Sequence, residues 1–322
     1  MSAVNCLRWC ARLVATCFLA WLAGCAQLVP QTIGLRADWP ANVPRAVELA
    51  SVPFIPQTQF ECGPASLATI MNAAGAGLTV TQLEQEVYLP VRQGSLQVEM
   101  LVAPRRHGLV GWQLPRRYSA LLEEVASGRP VLVLQNLGLW PIDQWHYAVV
   151  VGFDYERGEL YLRSGATERL ALPFTIFEVT WRRSGYWAMV ASQPGSIPVS
   201  ATEATYRPAL LAFGRAAAPA QTQAAWGAFL ARWPGNSVAS IALSNLHYQA
   251  HEFKEAETVL RQSHQSNPES VEVLNNLSQV LSELGRNEEA LQLINRAMEL
   301  KGPFQGEVAA TRSGILKKLG RL

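Results

Sequence analysis

The apolar positions of this 322-residue chain fall into three successive patterns. The first is a single run, Leu13 to Leu22, that follows Arg8 and Arg12 and leads into small residues. A run of that length is too short to cross a bilayer, which takes about twenty residues. The second pattern, from Ser51 to about Ala191, mixes helical stretches with short apolar runs. Cys62 to Ala74 reads as a helix opened by Gly63-Pro64, since proline suits a first helical turn. A second helix starts near Thr79 or Thr81 as N-cap, and a third covers Ser119–Ser127 with Gly128 as its stop signal. Pro130–Gln135 and His146–Phe153 are continuous apolar runs of buried-strand type. Glu159–Arg163 alternates after a turn at Arg157-Gly158, and Tyr186–Ala191 supplies a last strand. Helices first and antiparallel strands afterwards predict an α+β domain over residues 51–193.

Pro194 to Pro198 marks a boundary, and from about residue 204 to 322 the pattern becomes helical and repetitive. Residues 237–268 superpose on 271–302 with a shift of 34: Leu243 meets Leu277, Glu255 meets Glu289, Ala256 meets Ala290 and Leu260 meets Ile294. A further shift of 34 backwards brings Pro268 onto Pro234 and Leu260 onto Trp226. That period, with a small residue at the helix crossing, resembles the tetratricopeptide repeat, a helix–turn–helix unit. Ser244 and Ser278 stand where that family usually has Gly, and His247 and Leu281 where it usually has Tyr. Residues 305–319 then form a capping helix. Such stacks present surfaces suited to peptides or partner helices, so a protein partner is expected here.

Composition narrows the class. Hydrophobic residues make up 49% and charged residues 16%, the balance of a globular protein. A net charge of +2 gives no reason to expect a nucleic-acid partner. Four of five cysteines (Cys6, Cys10, Cys17 and Cys25) lie in the first 25 residues, and Cys62 stands alone in the rest. No disulfide framework can therefore form in the body of the protein. A lone thiol is most often a small buried hydrophobe.

The charged, apolar and small-residue order of residues 1–24 is that of a signal peptide. Leu22-Ala23-Gly24-Cys25 resembles the bacterial lipobox. The resemblance implies that Cys25 is diacylated and becomes the N-terminus after cleavage, and two acyl chains anchor stably. Ala26, in place of an inner-membrane retention Asp, implies the outer membrane facing the periplasm in a Gram-negative cell. Residues 25–50, with Pro30, Pro40 and Pro44, read as a tether.

Cys62 gains meaning from its place at a helix start. The helix N-terminus carries partial positive charge and free amides, which stabilise a thiolate and can face a developing oxyanion. A departing amine must also be protonated, and His146 opens an apolar strand that can pack across such a helix. The remaining histidines, His107, His247, His251 and His264, show no metal-ligand spacing, so no metal is expected. Trp140 and Trp145 are core residues on the commoner reading of such aromatics, with a groove wall beside His146 as the alternative.

Val52-Pro53-Phe54-Ile55-Pro56-Gln57, followed by Glu61-Cys62-Gly63-Pro64-Ala65-Ser66-Leu67, resembles the double-glycine, bacteriocin-leader-processing branch of papain-like cysteine peptidases, and so does His146–Asp154. The resemblance covers residues 51–191 and implies a papain-like fold and peptide cleavage through an acyl-enzyme, with no metal or organic cofactor. It makes Cys62 the nucleophile, His146 the general base and acid, and Gln57 the oxyanion-hole donor, with Gln59 as the alternative. The family's third residue, an Asp of an Asp-Pro pair, is missing. Ser164 stands in its place, able to hydrogen-bond the imidazole but bringing no charge. Asp143 and Asp154 are near in sequence. The expected protein is a lipid-anchored periplasmic cysteine peptidase that binds a partner through its repeats. The alternatives are an inactive peptidase-like scaffold and a peptidoglycan amidase or endopeptidase.

Overall fold

The structure, a computed structural model, describes residues 29–56, 61–139 and 141–322. The signal peptide, Cys25, Gln57, Gln59 and Trp140 fall outside the described residues. The chain divides into two compact units. Of the described residues, one holds those from Val29 to Pro104, Gly111–Ser192 and Pro198–Ala201; the other holds Arg105–Val110, Gln193–Ile197 and Thr202–Leu322.

The first unit is built on a mainly antiparallel sheet in the order β4 (Val110–Gln113), β9 (Ala188–Ser192), β5 (Val131–Asn136), β6 (Trp145–Asp154), β7 (Glu159–Ser164) and β8 (Thr167–Pro173). β5 is buried at every position and β6 from Tyr147 to Phe153, because helices cover the sheet. Helix α2 (Cys62–Ala73) packs against β5, β6, β7 and β9. Every residue from Gly63 to Met71 is buried, so this helix is enclosed around its whole girth, and buried Thr69 turns its hydroxyl back onto the Ala65 carbonyl. Helix α3 (Val80–Val87) starts at Thr79, whose side chain accepts from the Gln82 amide while the Gln82 side chain returns to the Thr79 amide.

β6 is the long strand that places the chemistry. β5 lines one of its edges over residues 145–150, and the short strand β1 (Ala46–Glu48) continues that edge over residues 152–154. Gly152 is required at the joint. A Cβ there would lie 2.6 Å from the Val47 carbonyl oxygen and 3.0 Å from the Tyr161 ring.

The expected tether is corrected by the structure from Pro30 onward. Residues 30–37 form helix α1 on the first unit, and 46–48 join its sheet as β1. Pro30 is the first residue of α1, and Val29 offers it no side-chain cap. The orphan amides of its first turn are met instead by Glu178, on helix α6 (Phe174–Arg182). Glu178 is fully buried and accepts from the amides of Gln31 (2.9 Å) and Thr32 (2.6 Å) and from the Thr32 hydroxyl (2.6 Å). Trp39 follows the helix and packs edge-on to Tyr155 at 4.8 Å. A second buried carboxylate, Glu124 on α5 (Tyr118–Ala126), takes the amide of Ser200 at 2.8 Å and its hydroxyl at 2.6 Å. The boundary at Pro194–Pro198 is thus followed by a brief return to the first unit.

The second unit keeps the 34-residue rhythm in its helix starts. After α4 (Gln97–Arg106) and the helices already given, α7 (Glu203–Phe213), α9 (Ser237–Gln249), α11 (Val271–Glu283) and α13 (Gln305–Lys318) start 34 residues apart, as do α8 (Pro219–Arg232), α10 (Phe253–Ser266) and α12 (Asn287–Leu300). Thr202, Asn236 and Ser270 each cap the amide three residues on. Ala256 and Ala290 are fully buried where helices cross. Ser244 and Ser278, in place of glycine, turn their hydroxyls back onto the carbonyls of Ile241 (3.0 Å) and Leu274 (2.7 Å). A buried hydroxyl is satisfied within its own helix in this way.

Candidate active site

Cys62 is the first residue of α2 and partly buried. The next residue must be glycine, because a Cβ on Gly63 would overlap the Ser95 side chain, with Ser95 Cβ only 2.8 Å away. Ser95 lies on β3 (Gly94–Ser95), which pairs with β2 (Tyr88–Leu89). The Tyr147 hydroxyl donates to the Ser95 carbonyl at 3.1 Å, fixing this hairpin against β6.

The backbone amides of Tyr147, Gly63 and Cys62 itself are the groups that favour the Cys62 thiolate. Burial raises the thiol above its ordinary range, and the three amides draw it partly back by favouring the thiolate. Tyr147 is the residue after His146, so the start of β6 that carries the base candidate runs close to Cys62.

His146 is partly buried at the start of that strand. Its Nε2 lies 2.8 Å from the hydroxyl oxygen of Ser164, at the end of β7. The register explains this meeting: Val149 opposes Arg163, and residues two apart on a strand share a face. With Nε2 engaged by Ser164, Nδ1 is the nitrogen left for proton transfer. Burial lowers the proton affinity of the ring, and no neighbouring charge counters it. In both groups burial favours the uncharged form.

The acidic residues considered from sequence are engaged elsewhere. Asp143 accepts from the Asn136 side-chain amide at 2.7 Å, and Asp154 accepts from the Arg157 amide at 3.0 Å and pairs with its guanidinium at 3.6 Å. Among the described residues, Ser164 is the side chain that hydrogen-bonds the ring.

A cleft of about 490 Å³ lies beside Cys62, walled by Ser95, Leu96, Leu134, Trp145, Tyr147 and Arg183. Trp145 lines this cleft and is half exposed, rather than taking the core place commoner for such an aromatic. Ser95 and Arg183 were not found from sequence. The two-residue strand of Ser95 has no periodicity to read, and Arg183 follows a helix made of strand-favouring residues. His247 lies in α9, where its Nδ1 pairs with Glu252 at 2.7 Å.

Residues 49–189 match the model of the Peptidase_C39 like family, and residues 248–310 match that of the tetratricopeptide repeat. No curated protein matches the chain. Among solved structures, it is similar to a C39-like peptidase from Bacillus anthracis, at 18% identity over 45% of this chain and 96% of that one, with a TM-score of 0.39. It is also similar to a double glycine motif protease from an AMS/PCAT transporter in complex with the leader peptide, at 21% identity over 44% and 90%, with a TM-score of 0.33. A yeast TPR2B domain in complex with pHsp70 is similar at 12% identity over 36% and 97%, with a TM-score of 0.34. The chain therefore carries a C39-like peptidase domain, an antiparallel sheet with packed helices, followed by a helical array of tetratricopeptide type.

Proposed function

We propose that this protein is a lipid-anchored cysteine peptidase of the bacterial envelope, held at the outer membrane facing the periplasm through Cys25, that cleaves a peptide bond in a peptide or protein. Cys62 is the nucleophile. His146 removes its proton through Nδ1 and returns it to the leaving amine, while Ser164 holds the ring through Nε2. Gln57 donates to the oxyanion together with the amide of Cys62. The helical array binds a protein partner or the substrate.

The observation that carries this reading is the pairing of two contacts. Backbone amides of Tyr147, Gly63 and Cys62 favour the Cys62 thiolate, and the Ser164 hydroxyl lies 2.8 Å from Nε2 of His146, the residue before Tyr147. A hydroxyl fixes the tautomer and orientation of an imidazole but does not stabilise its charged form as a carboxylate would. The reaction then runs by general-base removal of a thiol proton at the moment of attack.

The same hydroxyl favours one rival, a peptidase-like scaffold without turnover. A thiol-directed activity probe, applied to the protein and to His146→Ala, separates the two. The peptidase reading expects strong labelling that His146→Ala largely removes, together with cleavage of a peptide library. Equal labelling of both proteins with no peptide cut would establish the scaffold, and release of muropeptides from purified cell wall would establish an amidase.

A further inference from the structure

The stacked intervals of the helical array are not filled alike. A cavity of about 260 Å³ lies between α8, α9 and α10, with Leu230, Leu243 and Val259 as its apolar walls. Gly227, Ala231 and Ser240 also line it, and all three are small. At the next interval, 34 residues on, their positions hold Arg261, Gln265 and Leu274. Leu274 is fully buried there, and so is Leu277, the counterpart of Leu243. Three larger side chains thus stand at the second interval where the first leaves room.

The backbone gives Gly227 no reason to be glycine. It lies inside α8, where glycine weakens a helix, and a Cβ built on it would meet nothing within 4 Å. Helix stability alone favours a larger residue at this position. What the glycine provides is room.

Charge differs between the intervals at the same place. At the second, Arg261 on α10 bridges to Glu289 on α12 at 2.6 Å. At the first, Gly227 stands in the position of Arg261 and Glu255 in that of Glu289. Glu255 is exposed, and among the described residues it has no ion-pair partner. It lies one turn from Val259 on α10, at the edge of the cavity. The other charges around it are engaged or lie elsewhere. Glu257 is held by Arg261 and Arg286, and Glu252 by His247 and Gln223. The Arg232 guanidinium lies over the Trp233 ring. Lys254 corresponds to Glu288, which pairs with Arg321 beyond α13 and not with α10, so it belongs to the other side of its helix.

We propose that the groove between α8 and α10 docks a helical segment of a partner protein. The segment inserts one large apolar side chain between Leu230, Leu243 and Val259 and sets an arginine one turn away against Glu255. The partner thereby supplies the side chains that the second interval carries as its own. This deepens the reading of the array as a partner-binding surface and rests on it, independently of the peptidase chemistry.

The test selects binders for the full chain, carrying Cys62→Ala to prevent cleavage, from a displayed library of helical peptides randomised on one face. The proposal expects the selected peptides to share a leucine, methionine or phenylalanine with an arginine three or four residues away. Gly227→Arg combined with Ser240→Leu gives the first interval the residues of the second and should weaken binding at least about tenfold. The same double variant should unfold at a higher temperature, which separates a filled groove from a misfolded array. Glu255→Lys, at an exposed position, should weaken the arginine peptides a few-fold and favour the same peptides with glutamate in place of arginine. Binding indifferent to the double variant overturns the groove and leaves the array as a partner surface elsewhere. Binding indifferent to Glu255→Lys, or selected peptides without the apolar and arginine pair, overturns the chemistry assigned to the partner. A library that yields no binder overturns the groove and the partner reading together.

Discussion

The two units of this chain handle their polar groups in opposite ways. In the sheet unit, charged groups are buried and held by bonds that span much of the sequence. Glu178 reaches Gln31 and Thr32, Glu124 reaches Ser200, and Arg163 donates to the Val52 carbonyl at 3.2 Å. In the helical unit, ionic groups lie at the surface and pair within or between neighbouring helices. Arg261 and Arg286 share Glu257 and Glu289 in one network. Buried long-range bonds fix one geometry and fail as a set when a partner is lost. Surface pairs are screened and contribute little individually. The sheet unit is organised to place a thiol and an imidazole, and the array to offer a surface.

The sharpest break in this comparison comes from Cys62→Ala. It should lower the rate of peptide cleavage by on the order of 10⁵–10⁶-fold, as loss of a nucleophile does, in a single-turnover assay. Arg261→Ala in the array should leave the cleavage rate of a short peptide unchanged. Next in size is Glu178→Ala. It should cost about 3–5 kcal/mol in urea unfolding of the first unit, because four donors lose a buried acceptor. Arg286→Ala should cost less than about 1 kcal/mol in the same measurement. Equal costs at the two positions would remove the distinction between the units.

Ser164 gives a smaller and more informative effect. Ser164→Ala should lower kcat about tenfold with KM little changed, the scale of one hydrogen bond to the ring. Ser164→Asp should stabilise the imidazolium, raise the fraction of thiolate–imidazolium pair and shift the alkaline limb of the pH–rate profile to higher pH. No shift with Ser164→Asp would show that this position does not govern the imidazole.

The smallest expected effects are those of pH. Burial favours the neutral thiol, so alkylation of Cys62 should keep rising above the ordinary thiol value of 9.0. The folded state binds this proton more tightly than the unfolded chain, so the associated stability is present below that value and lost as pH rises through the raised one. His146 acts in the opposite direction. Its proton affinity is lowered in the fold, so its contribution is present above 6.5 and lost as pH falls through the lowered value. Equilibrium unfolding across both windows, with His146→Ala as reference, checks the sign of each.

The legible parts of the molecule are those whose signals are local. The N-cap residues and small crossing residues of the array repeat in sequence, and α2, β5 and β6 are marked by Gly63-Pro64 and by unbroken apolar runs. Helix α1 was unreadable because the group that caps it lies 147 residues downstream of Gln31. Helix α6 was hidden differently: Phe174-Thr-Ile-Phe-Glu-Val-Thr-Trp181 is rich in strand-favouring residues, and tertiary packing overrides that preference. At the site, the meeting of His146 with Ser164 was anticipated from the missing Asp, whereas the closeness of the Tyr147 amide to Cys62 depends on how β6 runs beside α2. No pattern of residue types encodes that contact.

The evenly spaced caps at Thr202, Asn236 and Ser270 make the array a ruler with a fixed division. An excision of residues 237–270 removes one full division, so the helix after the cut starts in the phase of the one that was lost. An excision of 17 residues breaks that phase and sets a helix of one kind against the socket of the other. The reach of the partner-binding surface can thus be lengthened or shortened in steps of 34 residues without touching the strand that holds His146.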